Sequence, residues 1–273
     1  MSQQLRPDGS LTPAPRALAR EAPISLVFNG WAHAVMMVTP ADLEDFVIGF
    51  SYSEDLIDSP ADIQSMRIGT LDIGHVAEIT IAEARYQRVL ERKRGLVGNG
   101  ACGLCGVIEL EHAIPRLAPI TARPQLETTG IFRALAALSG HQPEGRTTGA
   151  MHAATWVDPN GAICAAREDA GRHVALDKLI GHGLRIGLNP ADAAILMSSR
   201  CSYELVQKTV RLGAPLLITV SAATDLAVQL AATAGLTLIA LARPDTVQVM
   251  HDPAGVYGHQ PDPQPPKPSS SAK

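Results

Sequence analysis

The pattern of apolar and polar positions divides the chain into an N-terminal part rich in predicted strands and a C-terminal part in which strands and helices alternate. In the first part, apolar runs at 24–28 and 31–38 flank Asn29-Gly30, a dipeptide typical of tight hairpin turns. Apolar residues at helical spacing follow Thr39-Pro40, which predicts a helix capped by Thr39. Alternating residues within 63–90 predict further strands.

The second part opens with another predicted hairpin, whose turn at 158–161 separates the runs 154–157 and 162–166. A helix over 173–180 is expected to follow, closed by Gly181. The remaining chain alternates between two kinds of element: apolar strands at 193–197, 216–220 and 236–240, and helices at about 203–211 and 224–233. Short links between such elements predict parallel strands with helices packed on the sheet.

The predicted fold class is therefore α/β, α+β overall, with a smaller β-rich N-terminal domain in front of an α/β domain. Both ends are proline-rich and lack an apolar period, which is typical of disorder. The expected boundaries are a disordered segment at 1–20, a β-rich domain at 21–125 with a glycine-rich loop at 95–106, a linker helix within 126–150, an α/β domain at 151–256 and a disordered tail at 257–273.

Composition narrows the possible functions. The net charge of −4 and an aromatic content of only 4% argue against nucleic-acid binding. The N-terminus shows no secretory signal, and no run of about 18 apolar residues predicts a membrane span. We therefore expect a cytoplasmic protein without a membrane partner, whose 4 cysteines are reduced.

The sharpest chemical feature is the pair Cys102 and Cys105 within the glycine-rich segment 95–106. A structural zinc site needs four ligands, and this pair supplies only two of them unless two chains share one metal. A thioredoxin-like redox centre fits poorly, because glycines replace the expected strand and helix start. A nucleophilic or sulfur-carrying thiolate fits best, and the basic run 85–94 is expected to lower its pKa unless that run is an ordinary solvated face.

A second candidate site lies where the predicted parallel strands end, because ligands favour that edge of a sheet. The segments that follow the three strands are Ser198-Ser199-Arg200, Ser221-Ala222-Ala223-Thr224 and Arg243-Pro244-Asp245, and helix N-termini nearby attract anions. The sequence leaves two interpretations of these residues open: they bind phosphate, or they only cap the helices that follow. His173 and Asp177, one helical turn apart, form either an acid–base pair or a local contact at a helix start. The motifs H-x-E, G-x-x-x-x-G-K-[ST] and G-x-S-x-G do not occur.

Four segments in order resemble the formate dehydrogenase accessory sulfurtransferase family. They are 35–51, 102–106, 167–181 and 198–208, within a similarity that spans about 22–253. Two positions depart from the family pattern: Val174 stands where Asn is usual, and Leu241 stands where an aromatic residue is common.

The resemblance implies that the protein takes sulfur from a cysteine desulfurase and delivers it to the molybdenum cofactor of formate dehydrogenase. The cofactor, in its bis(molybdopterin guanine dinucleotide) form, is the bound substrate, and the protein needs no metal of its own. Cys102 would carry the persulfide with Cys105 assisting. The resemblance also implies a cytidine-deaminase-like C-terminal domain without its zinc chemistry, and a homodimer. The segment implied to bind the guanine nucleotide is Leu241, Ala242, Arg243, Pro244, Asp245 and Thr246.

Two other functions stay open from the sequence. The first is a non-catalytic chaperone that binds the molybdenum cofactor and hands it over, while the cysteines only gate a loop. The second is a structural module in which two copies share a zinc ion through their cysteine pairs.

Overall fold

The computed structural model describes residues 2–87, 90 and 117–258, and it confirms the mixed α/β class. The strands of the first part are β1 (Gln3–Leu5), β2 (Leu11–Pro13), β3 (Ala22–Phe28), β4 (Trp31–Val38), β5 (Ile63–Leu71) and β6 (Gly74–Ile81). Strands β3 to β6 form one sheet in the order β4-β3-β6-β5, and helix α1 (Leu43–Ser53) packs on its inner face. The core between them includes Phe28, Phe46 and Ile79.

The predicted first hairpin is confirmed. Asn29 and Gly30 both have positive φ, at 48° and 85°, as a two-residue turn between twisted strands requires. One other expectation for this part was wrong. Residues 83–87 are helical, so the strands predicted within 63–90 end at Ile81. Within the segment expected to be disordered, β1 and β2 pair antiparallel, although their exposed residues show no apolar period.

Thr39 does not cap α1. The helix begins at Leu43, and Asp42 before it has φ 52°. The backbone N–H of Thr39 instead donates to Asp169 Oδ2 at 2.8 Å, and its hydroxyl oxygen accepts from the N–H of Ala170 at 3.3 Å. The sequence pattern missed this because both partners lie about 130 residues away.

The second part contains a six-stranded sheet in the order β12-β11-β10-β9-β7-β8. Its strands are β7 (His152–Val157), β8 (Ile163–Asp169), β9 (Ala194–Met197), β10 (Leu216–Thr219), β11 (Thr237–Ala240) and β12 (Gln248–His251). The predicted parallel pairing of β9, β10 and β11 is confirmed, whereas β7, β8 and β12 run antiparallel to their neighbours.

Helices cover both faces of this sheet. They are α2 (Thr128–Ala137), α3 (Pro143–Thr148), α4 (Arg172–Arg185), α5 (Tyr203–Leu212) and α6 (Asp225–Ala234). Helices α4, α5 and α6 pack on one face around Trp156 and Leu176, and α2 packs on the other around Ile131 and Ile218. Within the described ranges, no helix is long and apolar enough to cross a bilayer.

Helix α4 continues past Gly181, so the prediction that this glycine closes the helix was wrong. Gly181 lies instead where α4 crosses α1, opposite Gly49. A Cβ atom on Gly49 would overlap the carbonyl oxygen of Asp177, and one on Gly181 would overlap that of Asp45. The two glycines therefore let the backbones of the helices touch, and this contact joins the N-terminal sheet to the C-terminal one.

Gly49→Ala tests this crossing. The added methyl group must push α1 away from α4, so we expect the free energy of unfolding to fall by about 3 kcal/mol, the upper end for overpacking a core. Chemical denaturation monitored by circular dichroism measures the change. Gly140→Ala is the control, because its Cβ would meet nothing within 4 Å. It should alter stability by less than about 0.5 kcal/mol. Equal stability of the two variants would contradict the close crossing.

Candidate functional site

The loops that follow β9, β10 and β11 lie side by side at one edge of the sheet. The N–H of Ser221 donates to the carbonyl of Ser199 at 3.2 Å, and the N–H of Leu241 donates to the carbonyl of Ser221 at 3.1 Å. Cys201 and Ala223 form a parallel bridge just beyond. We call this edge the sheet rim, defined by residues 198–202, 221–223 and 241–246. The structure thus brings together the segments predicted from strand ends.

Ser198 joins the rim to the neighbouring strand β7. Its hydroxyl oxygen accepts from the N–H of Ala153 at 2.8 Å, and its own N–H donates to the carbonyl of Ala153 at 2.9 Å. The hydroxyl proton points elsewhere, because the oxygen acts as the acceptor in this contact. Ser198 can therefore still donate one hydrogen bond to a ligand.

The segment 241–246 forms a tight turn. Leu241 has φ 49°, Ala242 is buried, and its N–H donates to the carbonyl of Thr219 at 3.1 Å. The N–H of Arg243 donates to the carbonyl of Thr246 at 2.7 Å, which closes the turn. As a result, the four residues Arg243, Pro244, Asp245 and Thr246 are exposed.

A cleft of about 240 Å³ opens beside this turn, between α2 and the strands β11 and β12. Sites that enclose a drug-sized ligand measure roughly 300–1,000 Å³, so this cleft suits one part of a larger ligand, such as a planar base. Burial raises the pKa of Tyr257, which keeps its phenol neutral. The lining residues are Thr128, Ile131, Phe132, Ile239, Asp245, Thr246, Val247, Val249 and Tyr257.

The other end of the rim is rich in basic side chains. We call it the basic corner, defined by His152, Arg172, His173 and Arg200. Strand β7 begins at His152, which pairs with Asp169 at the end of β8, and α4 begins at Arg172. Burial lowers the pKa of His152, and the charges of Arg172, His173 and Arg200 lower it further. Sequence reasoning placed Arg200 at the rim but missed Arg172 and His152.

His173 contacts Glu204 rather than Asp177, so the predicted pair does not form. His173 Nε2 lies 2.5 Å from Glu204 Oε2 and 3.2 Å from Ser202 Oγ. Because one nitrogen serves both contacts, the three groups do not form a nucleophile–base–acid relay, which needs both ring nitrogens. Asp177 accepts from Lys208 Nζ at 2.7 and 2.8 Å in the core. Burial raises the pKa of Asp177, and the Lys208 ammonium opposes that rise.

A buried carboxylate reinforces the crossing of α1 and α4. Asp45 on α1 accepts from Arg167 Nε at 2.8 Å and from Arg185 Nη1 at 2.7 Å. Close by, the buried Lys178 Nζ lies 2.7 Å from Asp169 Oδ2 and donates to the carbonyl of Thr39 at 3.0 Å. These ion pairs connect α1 and β4 to the strand and helix that lead to the basic corner.

Comparison with known proteins identifies the chain. The FdhD/NarQ family model matches residues 19–256. The chain belongs to the FdhD/NarQ family. It is 40% identical to the sulfur carrier protein FdhD of Bordetella bronchiseptica, over 89% of this chain and 85% of that protein. It is 42% identical to the sulfur carrier protein FdhD of Cupriavidus necator, over 86% of this chain and 82% of that protein.

A solved structure agrees with this family membership. The crystal structure of a formate dehydrogenase accessory protein from Desulfotalea psychrophila superposes with a TM-score of 0.73 at 25% sequence identity. The match covers 92% of this chain and 95% of that chain. The FdhD/NarQ fold therefore extends over both sheets.

The predicted thiol site, Cys102 and Cys105, lies outside the described residues, as does the loop 95–106. Of the basic run 85–94, the structure describes the Arg85 side chain, which pairs with Asp58 and with Asp62. Arg85 is therefore engaged by carboxylates rather than reserved for a thiol. Within residues 2–87, 90 and 117–258, no three His, Cys, Asp or Glu side chains form a group suited to a metal ion.

The cysteines of the FdhD/NarQ chain that the structure does describe are poor nucleophiles. Cys201 is buried, and burial raises its pKa to about 12. The thiol of Cys164 donates to the carbonyl of Trp156 at 3.3 Å, and burial raises its pKa as well. Since the thiolate is the reactive form, the buried Cys201 does not suit sulfur transfer, and the exposed Cys164 is less suited to it than an ordinary surface thiol.

Alkylation of the native protein at pH 8 tests the low reactivity of Cys201. We expect a maleimide to leave Cys201 unmodified for hours, because its thiolate fraction is roughly a thousandfold below that of an ordinary thiol and the side chain is buried. Peptide mass spectrometry gives the extent of labelling at each cysteine. The same reaction in guanidinium chloride is the control and should label all four. Rapid labelling of Cys201 in the folded protein would contradict the assignment.

Asp45→Asn tests the buried carboxylate of the crossing. Loss of its charge leaves Arg167 with only the more exposed Asp42 at 3.6 Å, and Arg185 with only the exposed Glu44 at 3.1 Å. We expect stability to fall by about 2–3 kcal/mol, below the usual 3–5 kcal/mol for a fully buried pair because Arg185 is partly exposed. Asp72→Asn, at an exposed turn, is the matched control. A denaturation midpoint equal to that of the control would show that the ion pairs do not hold the crossing.

Proposed function

We propose that the chain is a cytoplasmic sulfurtransferase that accepts sulfur from a cysteine desulfurase as a persulfide on Cys102 and passes it to the molybdenum cofactor of formate dehydrogenase. The observation that carries this proposal is the match to two proteins named sulfur carrier proteins over more than four fifths of the chain. The poor nucleophilicity of Cys164 and Cys201 supports it, because it leaves Cys102 and Cys105 as the candidate carriers.

The chemistry is two exchanges of one sulfur atom. In the first, the Cys102 thiolate attacks the outer sulfur of the desulfurase persulfide, a new S–S bond forms on Cys102, and the desulfurase thiolate leaves. In the second, the S–S bond breaks and the Cys102 thiolate leaves, while the outer sulfur is bonded by the molybdenum of the substrate cofactor as a sulfide, with the two electrons it needs drawn from the reduced metal. Neither exchange consumes an external oxidant. Cys105 assists as the second thiol of the same segment.

The sheet rim is proposed to hold the cofactor, which is the bis(molybdopterin guanine dinucleotide) form. The exposed turn from Arg243 to Thr246 and the cleft beside it offer a polar edge and an apolar slot for a guanine. Ser198 supplies a hydroxyl proton at the rim, and Ser221 lies between the other two loops. The homodimer implied by the family resemblance is part of this proposal.

Cys102→Ala tests the carrier role. The variant should gain no sulfur when incubated with a cysteine desulfurase and free cysteine, whereas the wild-type protein should gain one sulfur atom on the peptide that contains Cys102. Intact-mass and peptide spectrometry measure the gain. Cys164→Ala is the matched control, because it removes a thiol of raised pKa and should load as well as the wild type.

Retained loading in Cys102→Ala would refute Cys102 as the carrier. Absence of loading in the wild type, beside an active desulfurase, would instead favour a non-catalytic chaperone for the same cofactor. Metal analysis of the purified protein separates both from a structural module in which two chains share a zinc ion.

A further inference from the structure

The basic corner holds two arginines that the rest of the described structure leaves without an acidic partner. Arg172 Nε is buried and has no hydrogen-bond partner, and neither Arg172 nor Arg200 forms an ion pair with a described residue. The arginines of the described ranges that do pair with carboxylates are Arg85, Arg167, Arg185 and Arg211.

The two charges are close enough to act on each other. Burial lowers the pKa of Arg172, and the positive charge of Arg200 lowers it further. Glu204 is the nearby acid, but its carboxylate is already held by His173 Nε2 at 2.5 Å. Two like charges with one engaged acid between them are unfavourable in the free protein, and a bound anion would remove that cost.

Backbone geometry at the corner also favours an anion. Arg172 is the first residue of α4, a helix of 14 residues, and Arg200 stands just before Ser202, the N-cap of α5. Both helices therefore direct N–H groups and the positive ends of their dipoles towards the same region. The guanidinium groups add planar donors that match phosphate oxygens in pairs.

The corner is continuous with the nucleotide end of the rim. Arg200 follows β9, and the turn at Leu241 follows β11, with only β10 between them. Neighbouring strands are about 4.8 Å apart, so these two places are about 10 Å from each other. A span of this length suits a nucleotide whose base lies at the turn at Leu241 and whose diphosphate lies at Arg200.

We propose that Arg172 and Arg200 clamp the diphosphate of a guanine nucleotide whose base lies at the turn Leu241–Thr246. The identity of the nucleotide rests on the proposed function, whereas the clamp for a diphosphate rests on the corner alone. The contact with His173 engages the Glu204 carboxylate, which acts on Arg172 through its charge without forming an ion pair with it. The clamp is therefore specific for phosphates rather than for the base.

Isothermal titration calorimetry with GDP, guanosine and inorganic pyrophosphate tests the clamp. Arg200→Gln is the main variant, because the side chain is exposed and its loss should not disturb folding. We expect GDP affinity to fall about 10- to 100-fold, the loss of one or two charge-assisted hydrogen bonds, while guanosine affinity stays constant. Arg172→Gln should act in the same way. Arg67→Gln, exposed on β5, is the matched control and should bind like the wild type.

Three results would overturn the proposal. Unchanged GDP affinity in both variants would remove the arginines from the site. Equal losses for GDP and guanosine would show a change of the base site instead. Pyrophosphate that binds as tightly as GDP would assign the corner to a free anion. Sulfur loading of Cys102, measured on the same preparations, keeps the two proposals apart: GDP binding that depends on the arginines supports the clamp even if Cys102 gains no sulfur.

Discussion

The contact of α1 with α4 at Gly49 and Gly181 is the constraint on which the rest of the structure depends. It brings two backbones together without intervening side chains, and Asp45 beside it is bound by Arg167 and Arg185. Because Arg172 begins the same helix that crosses α1, the position of the basic corner is tied to the N-terminal sheet. The helix crossing therefore packs the two sheets together, and the rim lies at one edge of the C-terminal sheet.

The sheet that carries the site has an apolar interior and a polar edge. Strands β9, β10 and β11 are buried along their whole length, and the serines and arginines of the rim follow the points where the strands end. The parallel arrangement places those ends together, so a few serines and arginines from distant positions form one surface. The apolar interior does not suit reactive sulfur chemistry, because burial there raises the pKa of a thiol, as at Cys201.

Much of this architecture could be predicted from local pattern. Asn29-Gly30 specified a turn through the φ values that the two residues tolerate, and short links between apolar runs specified parallel strands. The rim followed from the same reasoning. Prediction failed where a distant partner decided the outcome: Thr39 binds Asp169 instead of capping a helix, and Gly181 allows a helix crossing instead of ending a helix.

The candidate site shows the same limit. Arg200 could be placed at the rim because it follows a strand, but Arg172 and His173 looked like charges at an ordinary helix start. Only the tertiary structure shows that His173 turns to Glu204 on another helix and that Arg172 has no acidic partner among the described residues. A weak signal existed in the sequence, since both arginines stand within three residues of a strand end, Arg172 at the first position of a helix and Arg200 just before one.

The central claim is that sulfur leaves Cys102 for a cofactor bound at the rim, and a single-turnover experiment tests it most directly. Protein carrying one radiolabelled sulfur on Cys102 is mixed with the molybdenum cofactor, with and without excess GDP, and the label on the Cys102 peptide is followed over time. The account predicts that the label moves to the cofactor and that GDP slows the transfer. Label that stays on the protein, or that leaves at the same rate whether or not GDP is present, would contradict it.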